Sequence, residues 1–309
     1  MPIAPLKVYH SAPFAPILHF ITTNKSYQYA ELDACDVIIH HDVSHKPTQT
    51  FKLIDELKAK YPKNKKIVIF IIHDFEFQYP KFSNVILIRT SVRESQIQPN
   101  EMVMPFIWDC ATEPLPVSEP TAKPKVGFCG LASKHRKKLV QAFNDSNEVD
   151  CDFILRQSFW GGAPNSADVA EEYNNNLKDN QYTLANRGAG NYSMRFYQAL
   201  AFGRIPILIN TDVKLPFDDK INWADFIIME KDAQTCLAKT IEIHKSGRYQ
   251  QMQKMCSDVF QQFFLQDVCF NHISNELVEH SMLIPEAEQS KPNILYWKIK
   301  KLIQENVWK

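Results

Sequence analysis

Residues 182–212 read YTLANRGAGNYSMRFYQALAFGRIPILINTD. The stretch divides by residue type. Residues 182–186 are a short apolar run, and Arg187-Gly188-Ala189-Gly190 is a turn holding two of the chain's eight glycines. Ser193 is placed to open a helix over 194–202 as its N-cap, and Gly203 is placed to stop it. Residues 205–210 form a second apolar run. Strand, loop, helix and strand in that order are the unit of a parallel sheet. A loop feeding a helix N-terminus offers backbone N–H groups and the positive end of the helix dipole to an anion. Arg187 and Arg195 add two cations to the same turn, and the guanidinium fork suits bidentate phosphate contacts. A tight turn carrying two solvated arginines is the plainer reading, because a lone Gly-x-Gly is common.

The same alternation continues in both directions. Upstream, apolar runs occupy 6–10, 36–41, 66–73, 84–90 and 102–108. Between them, Phe51, Leu53, Ile54 and Leu57 make an apolar stripe at helical spacing that ends before Pro62. Around the quoted stretch, runs at 125–130, 152–156 and 226–230 alternate with helical patterns at 134–144, 167–179, 233–244 and 248–281. Strands apolar on both faces and separated by helices predict parallel sheets covered on both sides. Residues 111–125, ATEPLPVSEPTAKPK, carry four prolines and read as a stiff, solvated linker. A second interruption at 285–293 precedes a terminal helix over 294–308. The predicted fold is therefore α/β, with two Rossmann-like doubly wound domains facing across a cleft. Their boundaries are 1–110 and 125–285, with a linker at 111–124 and a tail at 286–309 free to return to the first domain. Ligands of such sheets bind beyond the carboxyl ends of the strands.

Composition narrows the class. The 309 residues are 45% hydrophobic and 23% charged, which excludes a disordered chain. Lys+Arg and Asp+Glu are 35 each, so no bulk positive field draws nucleic acid or anionic lipid. The longest apolar run, Ile67 to Ile72, is far too short to span a bilayer. The first twenty residues lack a basic segment followed by an apolar one, so no signal peptide is expected. The seven cysteines form no Cys-x-x-Cys pair, and they read as core thiols of a reducing cytoplasm.

Several features combine into a family pattern. Tyr182-Thr183-Leu184, Arg187-Gly188, Ser193-Met194-Arg195-Phe196, Ala199-Leu200 and Gly203-Arg204-Ile205-Pro206-Ile207 follow one another in order. Leu215-Pro216-Phe217-Asp218-Asp219 and Ile221-Asn222-Trp223 complete the series. The order resembles the C-terminal block of exostosin-type glycosyltransferases of family 47. It extends more weakly to Lys125–Arg136, while the first domain matches only in its pattern of elements. The resemblance implies two Rossmann-like domains of GT-B type, with a nucleotide sugar held mainly by the second. It also implies inverting transfer without a carboxylate-bound metal and with no cofactor. By the same resemblance, Arg187 and Arg195 face the donor diphosphate with Gly188 in the turn, and Ser193 opens the helix that cradles it. The family usually has Glu where this chain has Gln198, at the position that meets the donor ribose. Gln can still hydrogen-bond a ribose, with one acceptor oxygen and no charge.

Other residues are read from their places alone. Ser133 and Arg136 begin a helix after the run 125–130, either as a second donor contact or as a basic surface helix start. Arg156 ends the next run, to meet the donor or to pair with Glu171 or Glu172. A transferase of this kind needs a base near the acceptor hydroxyl. The run 66–72 is the most apolar of the first series and should lie centrally, so the candidates are Asp74 and, as alternate, Glu76. Two carboxylates two residues apart point the same way in an extended stretch. His40-His41-Asp42 is the main competitor, since histidine needs no adjustment to serve. Asp150-Cys151-Asp152 fits a metal-binding Asp-x-Asp, but its place at the start of a run turns it away from the ligand side. His40, His41 and His45 read as turn residues before they read as a metal cluster.

The expectation is a cytoplasmic glycosyltransferase, bacterial or viral, that moves a sugar from a nucleotide donor, UDP foremost, to a glycan hydroxyl. A lipid-linked saccharide as acceptor would bring at most peripheral contact with the inner membrane. The alternative is a catalytically inactive transferase-like subunit that stabilises a partner enzyme, a reading that rests on Gln198.

Overall fold

The computed structural model describes residues 5–10, 25, 27–44, 46–80, 82, 84–106, 113–163 and 166–283. His45 and the expected tail helix over 294–308 lie outside them. The chain divides into two compact units. The first runs to Met104 and resumes at Ile273, and the second is Pro105–His272.

The first unit contains β1 (Leu6–Tyr9), β2 (Tyr27–Tyr29), β3 (Val37–Asp42), α1 (Pro47–Lys60), β4 (Lys66–Ile71), β5 (Val85–Arg89) and β6 (Glu101–Val103). These strands form one sheet in the order β2-β1-β3-β4-β5-β6, with every pairing parallel. All five residues of β5 and five of the six in β4 are buried. Their continuous Val and Ile content is what a sheet covered on both faces requires. Pro47 opens α1, where its missing N–H is no loss, and Ile54 and Leu57 are buried. The helix stops at Tyr61, before Pro62, whose ring disfavours helix at the preceding residue. β4 is central, as its composition predicts. The order of the sheet, however, turns elsewhere. β2 leaves β1 on one side and β3 pairs with its other edge, so the direction of the sheet reverses between β1 and β3.

The second unit contains β7 (Lys125–Leu131), α2 (Lys134–Asn144), β8 (Asp150–Arg156), α3 (Ala167–Asp179), β9 (Tyr182–Leu184), α4 (Met194–Ala201), β10 (Ile205–Ile209), β11 (Ile228–Glu230), α5 (Ala233–Lys245) and α6 (Tyr249–Val259). A further helix, α7 (Gln266–Leu283), starts in this unit. The sheet order is β11-β10-β9-β7-β8, again parallel throughout. After β8 the chain crosses back to place β9 on the other edge of β7. The reversal therefore lies between β7 and β9. Among the described residues, no helix is long and apolar enough to cross a membrane.

The proline-rich stretch differs from a free connector. Arg204 Nη1 donates to the Pro116 carbonyl at 3.2 Å, and the Ser118 amide donates to Gln253 Oε1 at 2.9 Å. Gln181 accepts from the Thr121 hydroxyl and donates to the Glu119 carbonyl, both at 3.1 Å. His244 Nε2 meets the Thr121 carbonyl at 2.9 Å. The prolines remove backbone donors that no strand partner would accept, and side chains of the second unit satisfy the carbonyls that remain. Composition alone could not show these partners, because they lie up to 135 residues away.

Candidate functional site

The carboxyl ends of β7 and β9 flank the reversal of the second sheet, where open α/β sheets bind ligands. β7 runs through Gly130 into Ser133 and α2. β9 runs through the turn at Arg187-Gly188 into Ser193 and α4. Three arginines converge here, and all are buried: Arg136 is 8% exposed, Arg187 4% and Arg195 6%. That excludes the solvated turn as the reading of these residues.

Arg195 reaches back under the turn. Its Nη2 donates to the Cys129 carbonyl of β7, and its Nη1 to the Leu184 carbonyl of β9 at 3.5 Å. The guanidinium lies 4.6 Å from the Phe128 ring centroid and 5.6 Å from that of Tyr173. Gly130 lets it pass. The glycine has φ 150°, and a Cβ there would sit 2.8 Å from Arg195 Nη2. Arg136 donates from Nε to the Asn186 carbonyl at 3.3 Å and from Nη1 to the Leu131 carbonyl at 3.2 Å. A Cβ on Gly188 would lie 3.2 Å from Arg136 Nη2. Arg187 donates to Asn191 Oδ1 at 3.2 Å and to the Ala189 carbonyl at 3.1 Å.

The electrostatics are unbalanced. Among the described residues, Arg136 and Arg195 donate to neutral carbonyls and pair with no carboxylate. Burial, and next the charge of Arg195, push Arg136 down to about 10. Two like charges held together out of water favour an anion. Polar atoms left over here ask for the same thing. Ser133 and Ser193 occupy the N-cap positions of α2 and α4, yet neither side chain caps its helix. Both hydroxyl oxygens and Arg195 Nε are buried without a hydrogen-bond partner. Each such group costs roughly 1–3 kcal/mol until something satisfies it. All three can donate, so the complementary ligand is rich in acceptor oxygens.

Other expected contacts fall differently. Gln198 Oε1 accepts from the Tyr173 hydroxyl at 2.6 Å, so its carbonyl oxygen faces α3 and not a ribose. Arg156 donates to Glu172 at 2.6 Å and to the Val169 carbonyl at 3.1 Å. Of its two readings, the structure selects the ion pair. Its partner Glu172 lines a groove of about 420 Å³ together with Asp152, Asp168, Glu171 and Asp179, whose charge repels an anion. Asp152 Oδ2 accepts from the side-chain amides of Asn176 and Asn180, each at 2.8 Å, which turns it to α3. Among the described residues, no group of three His, Cys, Asp or Glu side chains could hold a metal.

In the first unit, Asp74 and Glu76 do not share an environment. Asp74 is exposed, whereas Glu76 is buried and pairs with Arg93 at 2.5 Å. The stretch bends at His73, whose Nδ1 accepts from the Phe75 amide at 3.2 Å and whose Nε2 meets the Tyr79 hydroxyl at 3.2 Å. At the competing end of β3, Asp42 accepts from the Ser44 amide at 2.9 Å, from the Ser44 hydroxyl at 2.5 Å and from the Thr50 hydroxyl. These bonds fix the entry into α1. Sequence reasoning missed Phe128, Tyr173 and Asn186. An aromatic in an apolar run, a tyrosine on an amphipathic helix and a strand-end asparagine carry no local signal of their role.

Two doubly wound units, with an arginine cradle at the reversal of the second, define an α/β protein with two parallel sheets. Residues 114–242 match the model of the Exostosin GT47 domain. The match begins within the proline-rich stretch that is fastened to the second unit. No curated protein is significantly similar in sequence. Among solved structures, a GtfA/B complex shares 14% identity over 79% of this chain and 57% of its own, with a TM-score of 0.47. A Staphylococcus aureus TarM mutant in complex with fondaparinux, alpha-GlcNAc-glycerol and UDP shares 10% identity over 80% of this chain and 55% of its own, at 0.44. A DNA-modifying beta-glucosyltransferase crystallised with and without uridine diphosphoglucose shares 9% over 89% and 99%, at 0.43. The chain thus spans little more than half the length of the first two.

Proposed function

We propose that the chain is a glycosyltransferase that takes a sugar from a nucleotide donor, UDP foremost, and transfers it with inversion to a glycan hydroxyl without a metal. The observation that carries this reading is the convergence of Arg136, Arg187, Arg195 and the unpartnered Ser133 and Ser193 hydroxyls at one sheet reversal. A diphosphate supplies the charge and the acceptor oxygens that this set lacks. Guanidinium groups can then do the work that a metal does elsewhere, stabilising charge on the departing diphosphate. The acceptor is a surface glycan or a lipid-linked saccharide, reached from the cytoplasm with at most peripheral membrane contact.

UDP titration of the wild-type chain and of Arg136→Ala, with and without EDTA, tests the reading. Charge-assisted bonds are worth roughly 1.5–3 kcal/mol, so the variant should bind UDP at least tenfold more weakly. Binding should be indifferent to EDTA. Equal affinity in both proteins removes the donor assignment, and loss of binding with EDTA removes metal independence. Gln198 favours a second reading, a non-catalytic subunit, because Tyr173 occupies the oxygen that would face a ribose. UDP binding without sugar transfer to any acceptor would select it.

A further inference from the structure

The chain leaves the second sheet through Asn186. β9 ends at Leu184, and the Ala185 amide still donates to the Ile207 carbonyl of β10 at 2.8 Å. At Asn186 the side chain replaces the backbone. Its Oδ1 accepts from the Ile209 amide of β10 at 3.0 Å, and its Nδ2 donates to the His135 carbonyl in the first turn of α2 at 2.5 Å. The Asn186 backbone carbonyl accepts from Arg136 Nε at 3.3 Å. The residue is 2% exposed, so water does not compete for these bonds. Only an amide serves both partners at once, because a carboxylate accepts without donating and a hydrocarbon does neither.

The same contacts set Arg136. Asn186 holds its Nε, and the Leu131 carbonyl holds its Nη1 at 3.2 Å. Among the described residues, Nη2 is left without a hydrogen bond, and it lies beside the turn at Gly188, where a Cβ would be 3.2 Å away. Ser133 stands at the start of the same helix with its hydroxyl oxygen unpartnered. One side chain thus fastens the first turn of α2, with both of these donors, to the end of β9 and to β10.

We propose that Asn186 is a positioning residue for the diphosphate, acting through Arg136 and Ser133 and not by contact. The proposal rests on the donor reading above. Donors whose places are fixed beforehand need no ordering when the ligand arrives, and the affinity is higher for it.

A double-variant cycle tests this. UDP and uridine are titrated into the wild type, Asn186→Ala, Arg136→Ala and the double variant, at a temperature where circular dichroism shows all four folded. Asn186→Ala should weaken UDP binding roughly three- to tenfold. In the Arg136→Ala background the same change should cost less than about twofold, because the residue through which it acts is gone. Uridine, which carries no phosphate, should bind the wild type and Asn186→Ala alike. Equal losses in both backgrounds, equal losses for uridine and UDP, or an Asn186→Ala variant with wild-type UDP affinity each overturn the proposal. Should Asn186→Ala fail to fold, Asn186→Ser, too short to reach both partners, takes its place in the cycle with the same expectations. A wild type that binds no UDP overturns the donor reading, and the proposal with it. A wild type that binds UDP while the losses simply add overturns the proposal alone.

Discussion

The Tyr173 hydroxyl donates to Gln198 Oε1 at 2.6 Å. Through that bond α3 and α4 are joined beside Arg195, whose guanidinium lies near the Tyr173 ring on one side and the Phe128 ring on the other. The residue at which this chain departs from the exostosin pattern is thus engaged in holding the ring next to the central arginine.

Urea unfolding of Tyr173→Phe, Gln198→Leu and the double variant measures the bond. Each single change removes this bond and should cost about 1–3 kcal/mol. Removing both groups together should cost less than the sum. Strict additivity would show that the two side chains do not interact. Gln198→Glu, the family's residue, should keep its melting temperature, since a phenol donates well to a carboxylate.

Ser133 and Ser193 give the cleanest separation of binding from stability. Neither hydroxyl has a partner in the free protein, so Ser133→Ala and Ser193→Ala should melt at or slightly above the wild-type temperature. UDP binding should weaken by about 0.5–1.5 kcal/mol for each, or roughly two- to tenfold. A fall in melting temperature with unchanged titration curves would make the serines structural.

Arg89 and Glu101 form an ion pair at 2.7 Å, both 2% exposed. Burial raises the Glu101 carboxyl, and Arg89 opposes that shift. Glu101→Gln strands a buried guanidinium and should destabilise by about 3–5 kcal/mol. Arg89→Met with Glu101→Leu removes both charges and should be milder, as denaturation midpoints can show. A double variant worse than the single one would contradict this account.

His40 makes the chain acid-sensitive. Its folded value near 4 lies below the ordinary 6.5, so the folded state binds the proton more weakly than the unfolded state does. No penalty exists above pH 6.5. It grows as pH falls from 6.5 to about 4 and then levels off. The loss should be on the order of 2 kcal/mol, less than the full linkage value because the ring is not wholly enclosed. His40→Gln should flatten the dependence of melting temperature on pH across that window, and an unchanged slope would assign it to other groups.

The fold was legible because it rests on local rules. Val and Ile runs such as 66–71 and 85–89 have no soluble alternative to a doubly covered strand, and Pro62 ends a helix wherever it stands. Tyr182 to Trp223 carry enough fixed positions to show the resemblance, and they lie within the residues that match the Exostosin GT47 domain model. The arginine turn was legible for the same reason. What the sequence could not show follows from distance. Arg195 reads as a donor contact, but nothing local shows that it also joins the carbonyls of Cys129 and Leu184 across two strands. Arg195→Ala should therefore cost stability as well as nucleotide affinity.

By itself, the sequence determined the elements and their grouping into two α/β units, because turn chemistry, periodicity and motif spacing act within a few residues. Strand order was decided only by tertiary structure. A parallel strand can join either edge of a sheet with the same side chains, and packing of the whole unit selects the edge. That choice put the reversal of the first sheet between β1 and β3 and not at the end of β4. It also gathered Ser133, Arg136, Arg187, Ser193 and Arg195, spread over more than fifty residues of chain, at the reversal between β7 and β9.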